Sequence, residues 1–230
     1  MRPETSRPKV NLQIEKESIT LRGRVEEKLR LAIVSGYFVP GQRLVERELC
    51  ELIGIGRTSV REAMRQLEAE GLIRSVPHRG PIVQGITPEE AVQLYALRVL
   101  LEGYAARCCA ERADHEAKQI LSNAAAAFVH AAERESHESI MAAKDAVYDS
   151  LLDGARNPFV KQTLTAMQNR ISMLRFGSFT TPGRLEESVN EIKQIVEAIR
   201  TGDGDKAEAV CRRHIERAAA LALAALKNES

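Results

Sequence analysis

The 230-residue chain contains no tryptophan, and aromatic residues make up only 4% of it. That poverty argues against a large sheet, whose strands are rich in aromatic and β-branched side chains. The abundant alanine late in the chain favours close helix packing instead. No run of about 18 apolar residues is present, and no apolar signal-peptide core follows the first methionine, so the expectation is a soluble cytoplasmic protein with no membrane partner. Cysteine is scarce and unpatterned. Cys50, Cys108, Cys109 and Cys211 show no C-x-x-C spacing and read as reduced, buried thiols. The catalytic signatures H-E-x-x-H, G-x-S-x-G, the P-loop and G-x-G-x-x-G are all missing. Cys211-x-x-His214 could pair a thiol with a base on one helix face, but no third group activates it. An enzyme of unrecognised type is therefore the weaker alternative, and an architectural DNA binder would not need the long C-terminal part. Charge of one sign is lacking too: the net charge is +1. The halves nevertheless differ. Residues 1–86 carry 15 Lys+Arg against 11 Asp+Glu, a net +4, and residues 87–230 carry 18 against 21, a net −3. A basic front and an acidic back suit a nucleic-acid reader joined to something else.

What is present centres on Leu49 to Ile73. Leu49, Leu52 and Ile53 are spaced for one buried helix face. Gly54 ends that helix, because a residue without Cβ turns left-handed at little cost. Ile55 dips back towards the core. Val60, Ala63, Met64 and Leu67 give the next helix an apolar stripe, while Arg57, Thr58, Ser59 and Arg61 load its first turns with guanidiniums and hydroxyls. That is the chemistry of a recognition helix, whose N-terminal residues reach base edges in the major groove. A first helix over 21–35 and a short strand at Gln42-Arg43-Leu44 precede the pair. Leu72 to Val76 and Pro81 to Gln84 alternate enough for a two-stranded wing tipped by Pro77-His78-Arg79-Gly80. There Gly80 allows close approach to the minor groove, Arg79 is drawn to its negative potential, and His78 can donate to phosphate.

Residues 1–20 are polar and read as a flexible arm, from which Arg2, Arg7, Lys9 and Lys16 could graze phosphate. Beyond the linker at 85–88, Thr87 can cap a helix with Pro88 and Glu90 in its first turn. Six helices are predicted, near 88–112, 115–134, 137–154, 157–177, 183–201 and 204–227, with a break opening at Gly177. Such lengths with short loops mean an antiparallel bundle. The predicted fold is mainly α: a winged helix-turn-helix over 21–86 and an all-helical domain over 87–230.

Val25 to Ile86 resembles the winged helix-turn-helix of the GntR family. The resemblance is carried by Leu29-Arg30-x-Ala32-Ile33, Pro40-Gly41-x-Arg43-Leu44, Glu46-Arg47-x-Leu49, Arg57-Thr58-Ser59-Val60-Arg61-Glu62-Ala63, Leu67-Glu68-Ala69-Glu70-Gly71-Leu72 and Pro77-x-Arg79-Gly80. The C-terminal part is similar to the all-helical effector domain of the FadR branch, called FCD. The resemblance implies a ligand-responsive transcriptional regulator that binds a palindromic operator in double-stranded DNA as a homodimer. It assigns the DNA contacts to Arg47, Arg57, Thr58, Ser59, Arg61, His78, Arg79 and Gly80.

The FCD resemblance also implies a divalent metal held by an Asp and a His four residues apart and by one His on each of the last two helices. Ungapped alignment places those positions on Lys144, Tyr148, Ile192 and His214, so one of four ligands remains. A one-residue gap would offer Asp145 and Asp149 with His214, the metal-dependent alternative. Helical geometry opposes it: Ile140, Val147, Tyr148, Leu151, Leu152 and Ala155 define the apolar face, with Lys144 near its middle, Asp145 on its flank and Asp149 outside. Ile192 falls on an inward face with Leu185, Ser188, Ile195 and Ile199. The expectation is a metal-free site with no cofactor, in which Lys144, Tyr148, His214 and Arg98 hold a small organic acid. The plainer readings are an Arg98–Glu102 pair, a Lys144 that snorkels to the rim, and a His214 satisfied in the core.

Overall fold

The computed structural model describes residues 21–134, 136–178 and 183–228; the expected arm lies outside them. The fold is mainly α. Helices α1 (Leu21–Val34), α2 (Glu46–Ile53) and α3 (Arg57–Ala69) lead into an antiparallel hairpin of β1 (Ile73–Val76) and β2 (Gly80–Val83). Six helices follow: α4 (Pro88–Arg112), α5 (His115–Arg134), α6 (His137–Gly154), α7 (Pro158–Ser178), α8 (Arg184–Arg200) and α9 (Gly204–Asn228). The first group is a winged helix-turn-helix and the second an antiparallel bundle.

The local stops behave as the residue types dictate. Gly54 closes α2 in the left-handed region, at φ 76°. Gly71 does the same after α3 at φ 74°, and the chain folds back through Leu72 N–H donating to the Leu67 carbonyl at 2.9 Å. Thr87 and Glu90 form a reciprocal capping box at the start of α4, with bonds of 3.2 and 3.0 Å. In the hairpin Ile73 pairs with Val83 and Val76 with Gly80, which leaves Pro77, His78 and Arg79 as the turn. His78 itself takes a positive φ of 62° there.

The winged domain has its own core, in which Val25, Leu29, Ile33, Leu49, Val60, Leu67 and Leu72 meet. Each of these side chains contributes about 1.5–3 kcal/mol by leaving water. Arg30 on α1 grips Glu70 at the end of α3 through bonds of 2.9 and 2.8 Å, tying α3 to α1. In the bundle, α4 packs most extensively against α9. Small residues permit it: Ala105, Ala106, Cys108, Cys109 and Ala110 are all buried on α4. Gly154 is a close-approach glycine, since a Cβ there would stand 2.5 Å from the Cys109 sulfur.

Three expectations are corrected. Leu52 is 59% exposed rather than buried. The buried arc of α2 runs from Leu49 through Ile53 to Cys50, and Leu52 lies off its Leu49 edge. The strand at Gln42–Leu44 is only a single bridge, Arg43 to Ile82. The break expected at Gly177 opens one residue later, since α7 runs through Gly177 to Ser178.

Candidate functional site

Two groups of side chains stand out, one on the surface of the winged domain and one inside the bundle. On the first, α3 opens at Gly56, which has no side chain to cap the helix. Its first backbone N–H groups therefore point outward unclaimed by a cap. Arg57, Thr58 and Arg61 are exposed and Ser59 is half-buried, while α2 presents Arg47 beside them in sequence to Glu46. Glu46 lies in the field of Arg57, Arg61 and Arg65, and its carboxyl is held below the usual range, chiefly by the hydrogen bonds from Arg61. Arg47 reaches only towards Glu51, at 3.9 Å between two exposed side chains. The wing tip is a separate cationic element. His78 and Arg79 are exposed, and Arg43 runs beneath the tip, its Nε 3.8 Å from where a Gly80 Cβ would stand. Sequence reasoning quoted Arg43 in the Pro-Gly-x-Arg-Leu motif without assigning it a role, because the strand pairing that brings it to the wing is not local.

The bundle holds a buried polar cluster drawn from four helices. Lys144 and Tyr148 come from α6, Arg98 and Glu102 from α4, Arg184, Ser188 and Glu191 from α8, and His214 from α9. The helical-wheel reading of α6 holds: Lys144 and Tyr148 are buried, Asp145 is half-buried and Asp149 is exposed. Lys144 does not snorkel. It is 3% exposed and donates to the Ser188 hydroxyl at 3.1 Å. His214 donates from Nδ1 to Glu191 Oε2. Its Nε2 then carries the lone pair, and the Tyr148 hydroxyl donates to it at 3.0 Å. Arg184 stands 3.4 Å from Nδ1 as a second donor, so that contact is a close approach and not a hydrogen bond; its real partner is Glu191, at 2.9 Å. Arg217 clasps the other Glu191 oxygen from the rim at 2.7 Å.

The electrostatics follow from that wiring. Burial pushes the His214 ring down to about 4, helped by the charges of Lys144 and Arg184 and opposed by Glu191, so the ring is neutral at pH 7. Burial alone would raise Glu191, but its bonds from His214, Arg217 and Arg184 hold it at about 2. Arg98 pairs with Glu102 at 2.6 Å and lies over the Tyr95 ring at 4.9 Å. Burial works most strongly against its charge, and Glu102, Tyr148 and Tyr95 together outweigh burial. Its Nη1 nitrogen is buried without a hydrogen-bond partner among the described residues. Cys211 is fully buried, and burial pushes its thiol far up, which disposes of it as a nucleophile beside His214.

A divalent metal does not fit these residues. Lys144 and Arg184 place fixed positive charges in the cluster, Ile192 is aliphatic, and the His214 lone pair is already taken by Tyr148. Asp149 points to solvent, so Asp145, Asp149 and His214 are not brought together, and no group of three such ligands occurs among the described residues. Sequence reasoning missed Arg184, Glu191 and Arg217. The first two carried a signal: seven residues apart, they share with Ser188 and Ile192 a side of α8 that is otherwise apolar.

Comparison with known proteins agrees with both halves. Residues 21–83 match the family model described as bacterial regulatory proteins, gntR family, and residues 93–217 match that of the FCD domain. The chain is 26% identical over 182 residues to an HTH-type transcriptional regulator of Bacillus subtilis, YdhC, spanning 79% of this chain and 81% of that one. It is 28% identical over 210 residues to the galactonate operon transcriptional repressor of Escherichia coli, spanning 80% and 89%. Among solved structures, E. coli McbR/YncC superposes with a TM-score of 0.78 at 18% identity, covering 93% of this chain and all of that one, a likeness of fold.

Proposed function

Because this chain belongs to the gntR family of bacterial regulatory proteins and carries an FCD domain, we propose that it is a transcriptional regulator released from or recruited to DNA by a small organic acid bound inside its helical bundle. Membership makes it a DNA-binding regulator and not an enzyme. Under this reading residues 21–86 are the DNA reader, and residues 87–230 bind effector and dimerise. Arg57 and Arg61 enter the major groove with Arg47, Thr58 and Ser59 fix the helix on phosphate, and His78, Arg79 and Gly80 approach the minor groove. A homodimer on a palindrome follows from the small footprint of one winged domain. Leu97, Leu100 and Tyr104, which form an exposed stripe along α4, support self-association. Its place of work is the cytoplasm, where the DNA is.

The effector reading is carried by Arg98 Nη1. A buried guanidinium nitrogen without a partner costs about 1–3 kcal/mol, and a bound carboxylate repays it. In the same cluster Lys144 supplies an ammonium, and the Tyr148 oxygen, whose proton goes to His214, accepts from a hydroxyl of the acid. No metal is needed, because fixed cations stand in the cluster. The similarity to a repressor of an operon named for galactonate, a sugar acid, points the same way. The acid acts only if it binds the two arrangements of the domains unequally.

The test is a thermal-shift screen of hydroxy acids and sugar acids, with and without chelator, followed by gel shifts. An acid that stabilises the protein should change DNA affinity. Lys144→Met and Arg98→Gln should abolish that response and leave ligand-free DNA binding intact. A response that appears only with added divalent metal and vanishes on chelation would refute the metal-free site.

A further inference from the structure

Arg61, which the proposed reading sends to a base edge, is occupied in this structure. Its guanidinium makes two parallel bonds to Glu46, Nε to Oε1 at 2.8 Å and Nη2 to Oε2 at 2.7 Å. Two N–H groups side by side are what a bidentate contact to guanine O6 and N7 requires. The carboxylate therefore fills the fork that a guanine would fill. The pair does little for the fold. Arg61 and Glu46 side chains are 55% and 32% exposed, and α2 already meets α3 through Leu49 in the apolar core. Glu46 is also set among Arg57, Arg61 and Arg65, the guanidiniums of the recognition helix. A surface selected only for affinity to phosphate would omit a negative charge there.

We propose that Glu46 is a specificity-determining residue: it holds Arg61 as an internal substitute for a guanine edge and releases it only to a partner that offers two acceptors. The proposal rests on the reading of Arg61 as a DNA contact. On arbitrary DNA, Arg61 exchanges a bidentate carboxylate for a phosphate and gains little. The carboxylate left behind repels the backbone. On a site with guanine in register, the fork is refilled at full geometry. Glu46 thus lowers affinity for every sequence and lowers it least for the right one, which raises discrimination.

The experiment uses the full-length protein, an operator duplex selected from a random library by the wild type, and a mixed-sequence duplex of equal length. Fluorescence anisotropy gives Kd for both across a salt series. Glu46→Gln should bind the mixed duplex about tenfold more tightly, and log K should fall more steeply with log salt by about 0.9, the signature of one added phosphate contact. The operator-to-mixed ratio should fall about tenfold. Glu46→Ala should move both quantities the same way, and guards against a fold defect peculiar to the amide. In an Arg61→Gln background the gain should disappear. An unchanged ratio overturns the proposal. So does a gain that persists without Arg61, which would make Glu46 a general repulsive charge, or a loss confined to one cytosine, which would make Glu46 a base reader itself. If Arg61→Gln alone leaves operator affinity unaltered, the contact reading fails and takes the proposal with it; if it weakens the operator and Glu46→Gln changes nothing, the proposal alone fails.

Discussion

Mild acid should weaken the bundle through His214. The folded ring titrates at about 4, against an ordinary value of 6.5, because it is buried and flanked by Lys144 and Arg184. The unfolded chain therefore takes up a proton across that interval which the folded chain refuses. The sign follows: the contribution to stability is complete above 6.5 and is lost as pH falls from 6.5 towards 4. At about 1.4 kcal/mol per pH unit, the full interval amounts to about 3 kcal/mol. Glu191 moves in the same direction but later. Its carboxyl is held at about 2 against 4.5, so its contribution is lost only below the ordinary carboxylate range. Urea unfolding at about pH 7.5 and about pH 4.5 thus separates the two. The wild type and His214→Gln should be compared at both, since the histidines and carboxylates that do not touch His214 titrate alike in each. The wild type should lose about 2–3 kcal/mol more than the variant over this step. Equal losses would mean that His214 is not held neutral by burial, and the wiring of Glu191, His214 and Tyr148 would have to be redrawn.

Other outcomes follow from single residues. Arg57→Ala should cost operator binding about 1–3 kcal/mol of discrimination while circular dichroism stays native; unchanged operator affinity would remove Arg57 from the interface. Gly154→Ala should destabilise the bundle by about 1–3 kcal/mol, because the new methyl meets the Cys109 sulfur, and Cys109→Ala in the same chain should recover part of the loss in a melting experiment. Prolonged chelation should leave the melting temperature unchanged, and elemental analysis should find well under one metal per chain; a stoichiometric, removable metal whose loss lowers the melting temperature would contradict the charge pattern around Lys144.

Much of this protein is written locally, and local writing is legible. Gly54 and Gly71 end helices because of their own backbone freedom, Thr87 and Glu90 start one through two bonds within four residues, and the stripe from Val60 to Leu67 declares which side of α3 is buried. The spacing of Lys144 and Tyr148 sufficed to turn both inward and to leave Asp149 outside, because a single helix has one period. Partnership between helices has no such period. Nothing near Glu191 in sequence says that it will meet Arg184, His214 and Arg217 together, and nothing near Arg61 says that Glu46, on the previous helix, will occupy its fork. Even Leu52, apolar and correctly spaced, is left in water because the arc that α2 buries is set by where α3 stands. The sequence alone determined the helices, most of their ends and the inward faces of α3 and α6, since each depends on neighbours within about two helical turns. Which charges neutralise one another, which ring nitrogen keeps its lone pair, and which guanidinium nitrogen is left without a partner were decided only when the helices packed, because these are properties of distances between chain-remote atoms in a medium from which water has been excluded.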